Sequence, residues 1–179
     1  IFLIGFMATG KTTLGRALAD ADSSLSFVDL DKAVEDSAGR SVADIFADSG
    51  EAAFRRLESE MLHSLALPGA VIACGGGTPC SGDNMDFMLR SGTVILLSAP
   101  VDRIVSRLLE AGRGRRPLVD RYIDSPDLLR GCVEEMLRKR DVHYRRAHHV
   151  FDASRLDDAA QIAESVDRFR AIFMDNNQN

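Results

Sequence analysis

The stretch Gly5-Phe6-Met7-Ala8-Thr9-Gly10-Lys11-Thr12 decides the fold of this 179-residue chain. It matches the pattern GxxxxGK[ST], in which glycines let a loop curl so that its backbone N–H groups face an anion. An apolar run, residues 1–4, precedes it, and Leu14, Ala17 and Leu18 follow at helical spacing. Strand, glycine loop and helix are the setting that this motif requires, so the stretch predicts a site for nucleotide phosphates.

Each residue of the loop has a distinct expected role. Lys11 reaches the outer phosphates, and the hydroxyl of Thr12 is a ligand for Mg²⁺. The residues expected to contact ATP in this segment are Ala8, Thr9, Gly10, Lys11, Thr12 and Thr13. The alternative is a fortuitous glycine turn beside a surface lysine, which the matching flanks disfavour. Phosphate binding alone does not name the reaction, because GTPases, motor ATPases and small-molecule kinases share this loop.

The composition limits the kind of protein this is. Lys and Arg total 22 against 27 Asp and Glu, a net charge of -5, which argues against a general nucleic-acid binder. The cysteines Cys74, Cys80 and Cys132 form no CxxC pair and suggest neither a disulfide framework nor a zinc site. No apolar run approaches the ~20 residues that span a bilayer. We therefore expect one cytoplasmic domain, residues 1–179, with no nucleic-acid or membrane partner.

Short apolar segments alternate with helical patterns along the chain. Strands are predicted at 1–4, 25–28, 71–74, 94–97 and 149–151. Helices are predicted at 11–21, 32–38, 41–46, 51–65, 84–90, from 100, at 125–146 and at 157–173, with Ser41 as an N-cap and a break at 49–50. Residues 107–120 fit no regular pattern, and 175–179 form a polar tail. The alternation predicts a parallel sheet covered on both faces, with ligands at the carboxyl ends of its strands.

A pair of carboxylates follows the second predicted strand. Asp29 and Asp31 are two positions apart, so in an extended backbone they face the same side. One would support hydrated magnesium, and the other would take the proton of a substrate hydroxyl as it attacks the γ-phosphate. The alternative is an acidic turn that caps the next helix, since Asp is favoured at N-caps.

Three consecutive glycines, Gly75, Gly76 and Gly77, follow the third predicted strand. They suggest a close approach of the backbone to another molecule, although a flexible turn is the alternative.

Arginines supply the remaining candidate groups. Arg55 lies three positions before Glu58 on a predicted helix, so Glu58 is placed to orient its guanidinium. The segment 112–117 concentrates Arg113, Arg115 and Arg116 between glycines and is suited to close over ATP and neutralise charge on the transferred phosphoryl group. An RNA-binding patch is the rival interpretation, but aromatic residues for base stacking are missing nearby.

The segments GFMATGKT, FVDLD, FRRLE, CGGGT, RRPL and KRDVHY, in this order and at these separations, make the chain similar to shikimate kinase over essentially its whole length. The resemblance implies the α/β fold of nucleoside monophosphate kinases: three layers, α/β/α, with about five parallel strands. It also implies a mobile lid at about 107–124 and a substrate-binding region at about 31–62. The implied reaction transfers the ATP γ-phosphate to the 3-hydroxyl of shikimate, in aromatic amino acid synthesis.

The resemblance also assigns roles to single residues. The catalytic residues would be Lys11, Asp31 and Arg116. Magnesium would be held by Thr12 and, through water, by Asp29. Arg116 would reach the ATP phosphates from the lid, and Arg155 would border the adenine. The residues expected to bind shikimate are Asp31, Arg55, Gly75, Gly76, Gly77 and Arg140.

Some positions depart from the family pattern. Ala8 stands where the family often has glycine, which should be tolerated unless the backbone needs a positive φ. Arg107 and Arg113 are rival candidates for the arginine beside adenine. A kinase of the same architecture acting on a gluconate-like acid or a nucleoside monophosphate is one alternative, and a nucleotide-binding module without catalysis is another. We expect a monomer that binds ATP and shikimate.

Overall fold

The structure, a computed structural model, describes residues 1–112 and 118–174. At its centre is a five-stranded sheet in which all neighbouring strands are parallel. The strands are β1 (Phe2–Ile4), β2 (Ser26–Asp29), β3 (Ala70–Ala73), β4 (Val94–Ser98) and β5 (His149–Asp152). Their order across the sheet is β2-β3-β1-β4-β5. The predicted parallel sheet of about five strands is therefore confirmed.

Helices cover both faces of this sheet. They are α1 (Lys11–Ala21), α2 (Leu30–Ala38), α3 (Val42–Leu65), α4 (Asn84–Ser91), α5 (Val101–Ala111), α6 (Pro126–Tyr144) and α7 (Ala159–Phe173). Successive residues of a strand point to opposite faces, so Leu3 packs with Leu14 of α1 and Phe169 of α7, whereas Ile4 packs with Leu62 of α3. This gives the three α/β/α layers. None of the helices in the described residues is long and apolar enough to cross a bilayer.

The start of α2 differs from expectation in a way that affects the site. α2 begins at Leu30, so Asp31 lies in the first helical turn and not in an extended backbone, and the expectation that Asp29 and Asp31 share one side of a strand was wrong. Asp29 is the N-cap of α2, because its side chain accepts a hydrogen bond from the backbone of Lys32. The helical path of α3 is interrupted at Gly50 (φ 77°, ψ 169°), as the predicted break requires.

The segment predicted as a lid is partly regular. Residues 107–111 continue α5, because Ile104 and Leu108 extend its apolar stripe until Gly112 ends the helix. The expectation of no regular pattern from residue 107 was therefore wrong for these positions. Val119 is buried against Phe6 and Ile104.

Several predictions about the domain and lid of this chain are not tested by the structure. Residues 113–117, with Arg113 and Arg116, and the polar tail 175–179 lie outside the described residues. The motion of a lid, the single domain at 1–179 and the substrate-binding region at 31–62 stay predictions.

Candidate active site

The phosphate loop joins β1 to α1 at the carboxyl edge of the sheet. Gly5 (φ 140°) and Gly10 (φ 92°) have backbone conformations that favour glycine, and a Cβ at Gly5 would meet the carbonyl oxygen of Leu97. Nζ of Lys11 donates hydrogen bonds to the carbonyl oxygens of Gly5 (2.9 Å) and Phe6 (2.8 Å). Backbone carbonyl groups of the loop therefore hold the ammonium group of Lys11 at the expected position of an outer phosphate.

Ala8 has an unusual backbone conformation within this loop. Its φ is 61°, and in the described chain it is the sole non-glycine residue with a positive φ. The condition under which alanine was expected to be tolerated is therefore not met, because the left-handed region costs an L-residue roughly 1–2 kcal/mol. Something in the surroundings must stabilise this conformation.

Most of the predicted ATP-binding residues surround one cavity. It has a volume of about 550 Å³ and is lined by Ala8, Gly10, Lys11, Thr12 and Thr13, among others. Thr9 instead turns inward and donates from Oγ1 to the carbonyl oxygen of Phe6 at 2.8 Å.

A hydroxyl and a carboxylate meet at the edge of this cavity. Oγ1 of Thr12 donates to Oδ2 of Asp29 at 2.8 Å. Oxygen ligands of these two kinds suit Mg²⁺, which is usually held by one or two protein groups together with water and substrate phosphates. Asp29 also caps α2, so the capping interpretation is confirmed, while its role at magnesium stays a prediction.

Asp31 opens onto the same cavity but lies among other acids. Its side chain is accessible from the cavity, while protein atoms on its other sides withdraw it from bulk water. This desolvation, followed by repulsion from Glu58 and Asp29, raises the pKa of Asp31 from 3.8 to about 6, against the opposing effect of Lys11 and Arg55. A carboxylate in this range is suited to accept a proton near neutral pH.

The glycine triplet brings the backbone against charged side chains. A Cβ at Gly75 would lie 2.5 Å from Oε1 of Glu58, one at Gly76 would lie 3.0 Å from Nη1 of Arg140, and one at Gly77 would overlap the guanidinium of Arg55. The close approach seen here is to side chains of this protein, and the predicted approach to another molecule stays a prediction. A side chain at Gly77 would therefore displace the guanidinium of Arg55, and one at Gly76 would crowd that of Arg140.

Arg55 is held in place by acids of its own helix. Nη1 donates to Oε2 of Glu58 at 2.7 Å, and Nη2 to Oε1 of Glu51 at 3.0 Å. Glu58 has no exposed surface, and its other oxygen accepts from Oγ1 of Thr78 at 2.5 Å. The expectation that Glu58 orients Arg55 is therefore confirmed.

Arg140 reaches the glycine triplet from α6. Its guanidinium carbon lies 5.3 Å from the centroid of the Phe6 ring, and its Nη1 is buried with no hydrogen-bond partner among the described residues. One turn later, the hydroxyl of Tyr144 donates to the carbonyl oxygen of Gly76 at 2.7 Å. Burial raises the pKa of Tyr144 to about 12, so this donor stays protonated. The buried N–H of Arg140 marks a place for an acceptor such as a carboxylate.

A second cavity, of about 560 Å³, contains these groups. It is lined by Arg55, Arg140, the three glycines, Phe46 and Phe54, among others. Met7, Asp29, Asp31, Gly75 and Gly76 line both cavities. A phosphate bound at the loop would therefore face a molecule bound between the arginines, with Asp31 at their boundary.

Two further arginines from the sequence predictions, Arg155 and Arg107, differ in where they lie. The guanidinium of Arg155 pairs with Glu164 at 3.1 Å, and Arg155 is not among the residues that line either cavity. Arg107, by contrast, lines the first cavity and contacts the phosphate loop. Its contacts were missed because residue 107 was expected to lie outside any helix.

Comparison with known proteins gives one consistent result. The family model described as Shikimate kinase matches residues 7–170. A shikimate kinase of Bacteroides fragilis is 40% identical over 173 residues, which cover 96% of this chain and 94% of that protein. The crystal structure of the shikimate kinase from Bacteroides thetaiotaomicron covers 96% of both chains with a TM-score of 0.88 at 38% identity. The structure of the Acinetobacter baumannii shikimate kinase in complex with shikimate matches with a TM-score of 0.83 at 28% identity. This match covers 99% of this chain and 94% of the chain of that enzyme.

Proposed function

Since this chain belongs to the shikimate kinase family, we propose that it transfers the γ-phosphate of ATP to the 3-hydroxyl of shikimate. The observation that carries the proposal is the shared boundary of two cavities. Phosphate-binding groups lie in one, two arginines lie in the other, and Asp31 borders both. This arrangement suits in-line transfer between two bound substrates.

The nucleotide would lie in the first cavity. Backbone N–H groups of the loop and of the start of α1 would surround the phosphates, and Lys11 would exchange its carbonyl partners for a phosphate oxygen. Thr12 and Asp29 have the oxygen donors that fit Mg²⁺, and a bound Mg²⁺ would neutralise charge on the phosphates. The role of Arg116 on the phosphates stays a prediction, because this residue lies outside the described residues.

The acceptor would lie in the second cavity. Arg55 and Arg140 present two guanidinium groups, which suit recognition of one carboxylate. The unpartnered Nη1 of Arg140 supports this assignment, since a substrate carboxylate would give it the acceptor that it lacks among the described residues. The hydroxylated ring of the acceptor would then reach toward Asp31.

Asp31 would act as the general base. As the 3-hydroxyl oxygen forms its bond to the γ-phosphorus, the bond from that phosphorus to the bridging oxygen of ADP breaks, and the hydroxyl proton passes to the Asp31 carboxylate. A pKa of about 6 leaves this carboxylate mostly ionised at pH 7 while keeping it basic enough to take the proton.

A coupled assay of ADP release tests the proposal. The protein is supplied with ATP and Mg²⁺ and with shikimate, gluconate or a nucleoside monophosphate in turn. Shikimate is expected to give turnover and the other acceptors little. Turnover with another acceptor but not with shikimate would contradict the proposal, and tight ATP binding with no product from any acceptor would favour a non-catalytic module. The monomeric state stays a prediction.

A further inference from the structure

The guanidinium of Arg107 connects three segments, α5, the phosphate loop and the loop after β5. They surround the first cavity, which is the proposed nucleotide cavity. Nε and Nη2 donate to Oδ1 of Asp157 at 3.0 and 2.8 Å. Nη1 donates to the carbonyl oxygens of Ala8 (3.3 Å) and Ala153 (3.2 Å), and Nη2 also donates to that of Ser154 (3.2 Å). All five N–H groups of the side chain are therefore engaged with protein acceptors.

One of these acceptors is the carbonyl oxygen of Ala8, whose backbone conformation is unfavourable. Its φ is 61°, a value that alanine rarely adopts. In this conformation its carbonyl oxygen is turned to Nη1 of Arg107, and a hydrogen bond from a charged donor is stronger than one from a neutral group. The side chain of Arg107 is only 16% exposed, so water competes weakly for this contact.

We propose that Arg107 is a positioning residue that holds the phosphate loop in its anion-binding conformation through the carbonyl group of Ala8. Through Asp157, Ala153 and Ser154, it fixes the loop after β5 at the same time. Asp157 and Ala8 both line the nucleotide cavity, so Arg107 aligns two of its walls before a nucleotide enters. The proposal rests on ATP being the ligand of this cavity.

Arg103 provides a matched control on the same helix. It lies one turn before Arg107 and donates to the other oxygen of Asp157 at 2.6 Å, and its side chain is 46% exposed. Within residues 1–112 and 118–174, none of its hydrogen bonds goes to the phosphate loop. Removing Arg103 therefore removes a cation and a partner of Asp157 while leaving the Ala8 contact intact.

The test is a mutant cycle read by nucleotide binding. Arg107→Ala, Arg107→Lys and Arg103→Ala are compared with the unmodified protein by calorimetric titration with ADP, and by KM for ATP and kcat. Arg107→Ala is expected to weaken ADP binding and raise KM for ATP about tenfold, which is the size of the left-handed penalty at Ala8. The KM for shikimate should change less than about twofold, as should ADP binding in Arg103→Ala. Arg107→Lys should behave like Arg107→Ala, because one ammonium cannot reproduce the planar fork.

The Ala8→Gly background separates positioning from general stabilisation. Glycine takes a positive φ without the Cβ penalty, so Arg107→Ala should weaken ADP binding only about twofold to threefold when residue 8 is glycine. An equal loss in both backgrounds would overturn the proposal, as would full ADP affinity in Arg107→Lys or an equal effect of Arg103→Ala. Because ADP binding is measured without an acceptor, failure to phosphorylate shikimate would count against the proposed function and not against this inference.

Discussion

Replacing Asp31 by Asn should make the protein more stable while it removes most turnover. The carboxylate is desolvated and lies near Glu58 and Asp29, so folding places a negative charge where it is disfavoured. Asn keeps the size of the side chain and removes the charge. Turnover should fall about 10²- to 10⁴-fold because the proton acceptor is lost, whereas ATP binding at Lys11 and Thr12 should change little.

The gain in stability follows from the shifted pKa. A rise from 3.8 to about 6 corresponds to about 3 kcal/mol for a group wholly withdrawn from water. Asp31 faces an open cavity, so solvent screening reduces this to about 1 kcal/mol, or about 2–4 °C in melting temperature for a chain of this size. Because the folded-state pKa is raised, the cost is fully present above about pH 6 and disappears as pH falls toward 3.8.

Thermal unfolding of both proteins at pH 7.5 and pH 5 checks this expectation. The Asn variant should melt higher at pH 7.5, and its advantage should fall by about half at pH 5. Asp167→Asn, on the exposed side of α7, is the matched control and should change the melting temperature little at either pH. A variant with the same or lower melting temperature at pH 7.5 would refute the account of how Asp31 is kept basic, and retained turnover would refute its role as base.

Three further outcomes are expected. The kcat/KM for shikimate should fall about tenfold per pH unit below about pH 6, as Asp31 becomes protonated; a flat pH profile down to pH 5 would argue against this base. Arg140→Ala should raise KM for shikimate at least about tenfold with KM for ATP nearly unchanged, whereas Arg138→Ala, which loses only its pair with Glu135, should alter neither. Gly77→Ala should likewise raise KM for shikimate, because its Cβ would displace the Arg55 guanidinium, and steady-state kinetics that match the unmodified protein would contradict this.

The sequence was most informative where local geometry dictates residue type. The phosphate loop was located correctly because few other arrangements need glycine, lysine and threonine at these separations between a strand and a helix. The glycine triplet indicated a close approach of the backbone, and the structure shows one to side chains of this protein, where a Cβ would collide; the approach to another molecule stays a prediction.

The sequence was less informative where two local preferences compete. Asp29 and Asp31 were both expected in extended backbone, but aspartate also favours the N-cap. Asp29 ends β2 and caps α2, so the helix begins at Leu30 and Asp31 lies in its first turn. The apolar spacing of Ile104 and Leu108, followed by Gly112, could have extended α5 past Arg107.

Long-range placement was beyond local patterns. Arg140 and Gly76 are brought together only by the packing of α6 against the sheet, and Arg107 meets Ala8 across 99 positions of sequence. Neither contact produces a periodic pattern of residues in the sequence. The family resemblance supplied the expected role of Arg140, while the Ala8 contact of Arg107 emerged from the structure alone.

A crystal structure with shikimate and an unreactive ATP analogue bound together tests the central claim most directly. The 3-hydroxyl oxygen should lie within about 3.2 Å of the Asp31 carboxylate and point at the γ-phosphorus. The shikimate carboxylate should lie between Arg55 and Arg140. Shikimate bound with its carboxylate away from both arginines, or with its 3-hydroxyl out of reach of Asp31, would contradict the claim.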